Sequence, residues 1–556
     1  MWRRTSVILA LAGSFGCASA PAVEPAPSPP PPAGQSVPDQ TDAERPIPYP
    51  VTYPPAFQQA LASGTRSESG APGPDYWQNW ADYTITTRLL PDDKRVEGSE
   101  SIRYQNRSPD NLRQLVLDLN LNVHAPGAVR NEPAEVTGGV ELTRVAVNGQ
   151  VLSEGVQGGS GYVVRGTKMI IVPPAPVAAG ATVELGVDWA FDVPQAGAGG
   201  RMGYDDDNLF FLAYWYPQMA VYDDVIGWHP DPFLGTAEFY SDFGNYNVTV
   251  EAPEGWVILG TGELRNPAEV LSPEVHRRYT AAATSDTVVQ VLTPADFTSA
   301  TADAADGWLS WSFQADSVRD VAYSATRESI WDRTRTAVGD RDGDGDVDYT
   351  VINALYREPA FRWHNAAAFE QHSISFLSDY TDYPYPWPHM TAVEGAGIIG
   401  GGMEYPMMTL IGDYNDASDE ALYGVIVHEL AHMWVPMIVG VDERRYSWMD
   451  EGTTTFNETM AQQDFYPGSN PLEDVRGGYI RVALAGMEGE MMRRSDYHYA
   501  GPAFGIASYS KPATVLVALR GVLGEETFNT AYREFIDRWA FKHPQPWDMW
   551  NTFEDI

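Results

Sequence analysis

Five residues, His428-Glu429-Leu430-Ala431-His432, lie inside an apolar run from Tyr423 to Val441, and their placement there constrains the fold more than any other feature of the chain. Titratable groups in a buried segment are costly unless they are paired or bind a metal. Read as a helix, the segment sets His428 and His432 one turn apart on one face, so both imidazoles can reach a single ion. The run is long and apolar enough to resemble a membrane span. Two histidines, Glu429 and Pro436 within it argue instead for a buried core helix.

Glu451 follows His432 after eighteen intervening residues, within Trp448-Met449-Asp450-Glu451-Gly452. A catalytic zinc takes three protein ligands and leaves one position open, and Glu451 on a following helix is the natural third ligand. Glu429 then sits beside the metal without being needed to hold it. Zinc lowers the pKa of bound water towards about 7, and a carboxylate placed as Glu429 is can accept the proton. The implied chemistry is amide hydrolysis. A five-residue match alone arises by chance in roughly one chain in a hundred of this composition, so the apolar context and the spacing to Glu451 carry the weight.

Further motifs flank this core: Gly401-Gly402-Met403-Glu404-Tyr405 upstream, Ser508-Tyr509-Ser510-Lys511-Pro512-Ala513 downstream, and Asp382-Tyr383-Pro384-Tyr385-Pro386 with Val393-Glu394-Gly395 before both. With these residues the chain resembles the gluzincin zinc aminopeptidases, the aminopeptidase N-like family, as a bacterial exported member. The resemblance runs from about Tyr76 to the end of the chain and is strongest between residues 380 and 515. It implies one zinc ion held by His428, His432 and Glu451, with Glu429 as catalytic base. It also implies that Gly401, Gly402, Met403 and Glu404 form a substrate-binding strand edge, where a peptide adds through main-chain hydrogen bonds and Glu404 faces its free amino terminus. Tyr509 would donate to the developing oxyanion, as the family's Tyr does. Tyr405 stands where the family has Asn, and Pro512 where it usually has Gly. The family's second amine-binding Glu or Gln is not placed, although Trp215-Tyr216-Pro217-Gln218 looks like a neighbouring landmark.

Two other readings stay open. An endopeptidase on the same site would make Glu404 dispensable. An inactive exported binding or scaffold protein would predict loss of Glu429 or Tyr509, and both are present.

Organisation follows composition. Residues 1–20 have the layout of an export signal, with Arg3-Arg4, an apolar stretch and then small residues. Cys17, the single cysteine, follows Gly16 as in bacterial lipoprotein signals, so lipid attachment to a membrane at the periplasm or cell surface is expected. Residues 21–75 are rich in Pro, Ala, Ser and Gly and read as an extended tether. Residues 76–319 favour strands, with alternation at 82–87, 246–251 and 288–291. From Ala322 onward helical periods are expected, first over 322–330 and later over 366–376. The resemblance makes these a multidomain fold, an N-terminal all-β saddle-like domain followed over 320–556 by a thermolysin-like α+β, mainly helical, catalytic domain. Glu525 to Ile556 is helical in pattern and stops without a capping signal, so that domain is expected to be cut short.

The formal net charge of −39 repels phosphate and excludes nucleic acid as a partner. One acidic turn needs separate reading. Asp340, Asp342 and Asp344 alternate with Asp346 and Asp348 around two glycines, in part as a calcium loop does, but its twelfth position is Val351 rather than a bidentate Glu. A solvated turn is the alternative to calcium.

Overall fold

Strand Trp80–Leu90 alternates buried and more exposed residues along its length, as a strand does when one face lies on a core. It sits inside an eight-stranded sheet ordered Glu263–Leu264, Trp308–Val318, Gly244–Pro253, Trp80–Leu90, Arg95–Gln105, Thr182–Asp192, Glu141–Val147 and Gln150–Val151. Smaller five- and four-stranded sheets complete the N-terminal half. The segments 82–87, 246–251 and 288–291 fall in or against Trp80–Leu90, Gly244–Pro253 and Val289–Leu292. The computed structural model describes residues 52–156, 158–206, 208–498 and 501–556, so the export signal, Cys17 and the Pro-rich stretch to residue 51 lie outside the described residues.

Two expectations are corrected. The segment 322–330 is not helical: Tyr323–Thr326 is a fully buried strand of the five-stranded sheet, and Ser329–Gly339 begins another sheet. A strand buried on both faces loses its alternation, so apolar spacings of three or four arise there by coincidence. The tether also gives way before residue 75. Pro55–Ser63 is a helix with Phe57 and Ala60 buried, and Arg66 is fully buried between Asp224 and Asp548, each 2.6 Å away. Composition averaged over the segment hides these few anchoring side chains.

The C-terminal half is built on a six-stranded sheet ordered Val289–Leu292, Ser329–Gly339, Asp348–Arg357, His389–Glu394, Met408–Ile411 and Gly402–Tyr405. Asp348–Arg357 and His389–Glu394 run parallel and are linked through helix Ala366–Thr381, the crossover that parallel strands need. Gly402–Tyr405 is left as an edge, paired only with Met408–Ile411. Helices follow: Asp419–Ala431, which carries the two histidines, Glu443–Phe465, which carries Glu451, and then Pro471–Leu484, Lys511–Leu523, Glu525–Trp539 and Pro546–Asp555. The segment Asp419–Ile438 is apolar enough to cross a membrane, but 83% of its most apolar window is buried inside the fold, so it is a core helix. The architecture is thus multidomain in pattern, β-rich sheets followed by a mainly helical region.

One buried ion cluster ties the β-rich half to the helix that carries Glu451. His229 stands between Asp223 at 2.7 Å and Asp442 at 3.3 Å, and Asp442 caps that helix by accepting the Arg445 N–H. Burial alone lowers the imidazole, but the two carboxylates override it and raise His229 to about 9. Burial pushes Asp223 up, yet His229 and the Ile226 N–H hold it well below its usual value.

The sign of the pH dependence follows from these shifts. His229, raised above its ordinary 6.5, contributes stability that is full below pH 6.5 and lost as pH rises through about 9. Asp223, held down, contributes above its ordinary 3.8 and loses that contribution as pH falls below it. Urea unfolding of His229→Gln at pH 6 should show a loss of about 3–5 kcal/mol that shrinks by pH 9.5, whereas an unchanged midpoint at pH 6 would contradict the assignment.

Candidate metal centre and substrate cleft

The helix Asp419–Ala431 starts where Ser418 accepts the Ala421 N–H at 3.1 Å, with Asp419 and Glu420 in its first turn complementing the helix dipole. It cannot continue far beyond His432. Pro436 forces Val435 into an extended conformation (φ −136°, ψ 113°), and the chain turns away after its last functional residue. The Glu443–Phe465 helix packs against it, which sets Glu451 opposite the two imidazoles.

Both Nε2 atoms converge on one carboxylate oxygen. His428 Nε2 is 3.1 Å and His432 Nε2 3.4 Å from Oε2 of Glu451. The remote nitrogens are engaged elsewhere: His428 Nδ1 lies 3.0 Å from Glu458, and His432 Nδ1 lies 2.7 Å from Asp450. A carboxylate on the far nitrogen is how a ligating histidine is oriented and made more basic. Two imidazoles and a carboxylate with ligand atoms within 4.8 Å of one another are a donor set that fits zinc.

The charges agree with that fit. Burial lowers both imidazoles, but Glu451 and Glu458 raise His428 to about 10, and Glu404 and Asp450 raise His432 well above its usual value. Against the upward push of burial, the two histidines hold Glu451 well below the carboxylate range. Positive charge is therefore favoured at this point, and a divalent cation supplies it once the imidazoles give up their protons.

Glu429 is buried and its Oε2 has no hydrogen-bond partner within the protein. Burial chiefly, with Glu404 and Glu451 assisting against His428 and His432, pushes it up to about 8. The edge strand Gly402–Tyr405 passes close enough that a Cβ on Gly402 would lie 2.3 Å from Glu429 Oε1. Gly401 meets nothing within 4 Å, so the need for glycine is specific to Gly402. On the other side, the Tyr509 hydroxyl donates to Oε1 of Glu451, and its ring stacks on His428 with centroids 5.9 Å apart. Gly452 permits this arrangement, because a Cβ there would stand 2.4 Å from the Pro512 ring.

Glu404 joins Glu429 and His432 in one group within 4.8 Å, and joins Glu238, Glu443 and Asp450 in another. Burial, with Glu238 and Glu451, pushes Glu404 up to about 7 against His432. Glu238 and Glu443 are likewise pushed to about 7, chiefly by burial, although Arg201 lies 3.1 Å from Glu238 and Arg319 donates to Glu443. Met403 and Tyr405 point into the core, where the Tyr405 ring packs 5.1 Å from Phe211 and its hydroxyl donates to the Arg201 carbonyl.

Glu238 was not found by sequence reasoning. It comes from an irregular segment of the β-rich half, in Ala237-Glu238-Phe239-Tyr240, with no motif to mark it. Gln218 does not reach this group: its amide donates to the Arg319 carbonyl and accepts from Ser241. Asp340, Asp342 and Asp344 lie close together but exposed, and Asp340 already accepts the N–H groups of Gly343, Asp344 and Gly345, as an acidic turn does. A larger depression of about 850 Å³, beside Trp77, Arg107 and Tyr222, shares no residue with the metal centre.

The Peptidase family M1 domain matches residues 366–556. Aminopeptidase M1-A of Oryza sativa subsp. japonica is 28% identical over 196 residues, covering 33% of this chain and 22% of that protein. Endoplasmic reticulum aminopeptidase 1 of Mus musculus is 26% identical over 200 residues, covering 33% and 21%. The matched segment thus spans about a fifth of the length of these relatives. A crystal structure of an M1 zinc metallopeptidase from Deinococcus radiodurans shares the fold, with a TM-score of 0.53 at 15% identity, over 87% of this chain and 92% of that one. A mutant of that protein, with the same TM-score and identity over 86% and 91%, is bound to a Tyr-Ser-Ala substrate.

Gly402→Ala should push Glu429 aside while leaving the ligand triad intact. Zinc content should stay at that of the wild type, and hydrolytic turnover should fall by about 10²-fold or more; full turnover in this variant would contradict the contact.

Proposed function

We propose, proceeding from a chain whose residues 366–556 match the Peptidase family M1 domain, that this protein is a zinc aminopeptidase releasing residues from the free amino termini of peptides. The observation that carries the reading is the placement of Glu404 within 4.8 Å of both Glu429 and His432. A carboxylate there binds an ammonium group one residue from the reacting carbonyl, so only the first peptide bond fits.

The residues divide the work. His428, His432 and Glu451 would hold zinc, which when bound supplies Lewis-acid activation of water and carbonyl. Glu429, with one oxygen free of hydrogen bonds, accepts a proton from the attacking water and passes it to the leaving amine. Tyr509 donates its hydroxyl proton in a hydrogen bond to the oxygen where charge develops. Glu404, with Glu238 as a second carboxylate from the β-rich half, holds the ammonium in a cleft dry enough to strengthen the pairing. The edge strand Gly402–Tyr405 offers its unpaired side to an extended peptide.

The discriminating experiment compares one peptide with a free and with an acetylated amino terminus. The free form should be trimmed from its first residue and the acetylated form left intact. Glu404→Ala should cost about 10²-fold in kcat/KM, as expected for removing one partner of a buried charge pair, and Glu429→Gln should abolish turnover. Equal cleavage of both peptides would overturn the reading in favour of an endopeptidase on the same site.

Export and lipid attachment at Cys17 are proposed on the signal-like layout of residues 1–20. In a bacterial host, Cys17→Ser should move the protein from the membrane fraction to the soluble one; unchanged partition would contradict lipidation.

A further inference from the structure

A cavity of about 390 Å³ opens beside the metal centre, lined by His428 and Tyr509 and not by Glu404, and its walls have a chemistry of their own. We propose that it receives the side chain that follows the scissile bond and that it selects a basic residue there, arginine above others. The inference rests on the aminopeptidase reading, which fixes the direction of the bound peptide.

Direction comes from the two histidines. Glu404 is grouped with His432, so a peptide anchored by its ammonium has its first residue on that side of the ion. The cavity is lined instead by His428 and Tyr509, which places it under the chain beyond the reacting carbonyl.

Two carboxylates face this cavity, Glu420 and Glu458. Neither pairs with a Lys or Arg among the described residues; Glu458 contacts His428 through Oε2, and Glu420 accepts a long 3.4 Å hydrogen bond from Gln462. Gly424 forms part of the floor. A Cβ there would stand 3.6 Å from Glu458 Oε1, so the missing side chain keeps that oxygen open to the cavity. Tyr414 and Tyr509 supply aromatic walls.

A guanidinium is planar, weakly hydrated, and able to stack on an aromatic ring while its N–H groups meet a carboxylate. A glutamate side chain in the same place would face two like charges. The net charge of −39 adds a long-range field of the same preference.

The test uses three tripeptides with one first residue, Leu-Arg-Ala, Leu-Ala-Ala and Leu-Glu-Ala, on the zinc-loaded wild type and on Glu420→Gln. This substitution keeps the shape of a side chain that touches no metal ligand. Wild-type kcat/KM should favour Arg over Glu by about tenfold at low ionic strength, and the ratio should shrink at about 0.5 M salt, as for a solvent-accessible pair. Glu420→Gln should cut the ratio to half or less. A flat or reversed order in the wild type, or a ratio unaffected by Glu420→Gln, overturns this inference alone. Release of leucine from none of the three overturns the aminopeptidase reading and the inference with it.

Discussion

The convergence of His428, His432 and Glu451 on one point is the interaction on which the remainder of the structure depends. Around it the fold buries Glu238, Glu404, Glu429, Glu443 and Asp450, with Arg201 paired to Glu238 and Arg319 to Glu443. Carboxylates removed from water in such numbers repel one another and favour protonation, and Glu238, Glu404, Glu429 and Glu443 are all pushed upward. A divalent ion held by the triad would offset that excess.

Positioning is spread across elements that have little sequence signal of their own. Gly402 lets the edge strand approach Glu429, and Gly452 lets the Pro512 turn bring Tyr509 onto Glu451. Arg319, at the end of the eight-stranded sheet, donates to Glu443 and to the Phe239 carbonyl, so the β-rich half is bonded to the start of the ligand helix. His229 reinforces the same junction through Asp442. The carboxylate cluster therefore draws on both halves, Glu404 from the edge strand and Glu238 from the β-rich segment.

What was legible in the sequence was what lies close along the chain. The ligand triad and Glu429 fall between residues 428 and 451, so spacing alone brings them to one helix face and its neighbour. The edge strand was legible only through the family resemblance carried by Gly401-Gly402-Met403-Glu404, and the strands around 82–87 and 246–251 from alternation on a half-buried sheet. The strands over 323–339 were not, because Tyr323–Thr326 is buried throughout and has no periodic exposure to read. Glu238 was invisible for another reason. Its partners Arg201, Glu404 and Glu443 are distant in sequence and meet only in the folded chain. Arg66 follows the same rule, since a lone arginine in a small-residue stretch shows its role only beside Asp224 and Asp548.

Adding zinc to metal-free protein shows whether the buried cluster closes around a cation. One equivalent should raise Tm by roughly 5 °C or more and release protons at pH 7–8 as His428 and His432 give up theirs. An unchanged Tm with no proton release would mean that the carboxylates and imidazoles satisfy one another without an ion, and the triad would then be a structural ion pair.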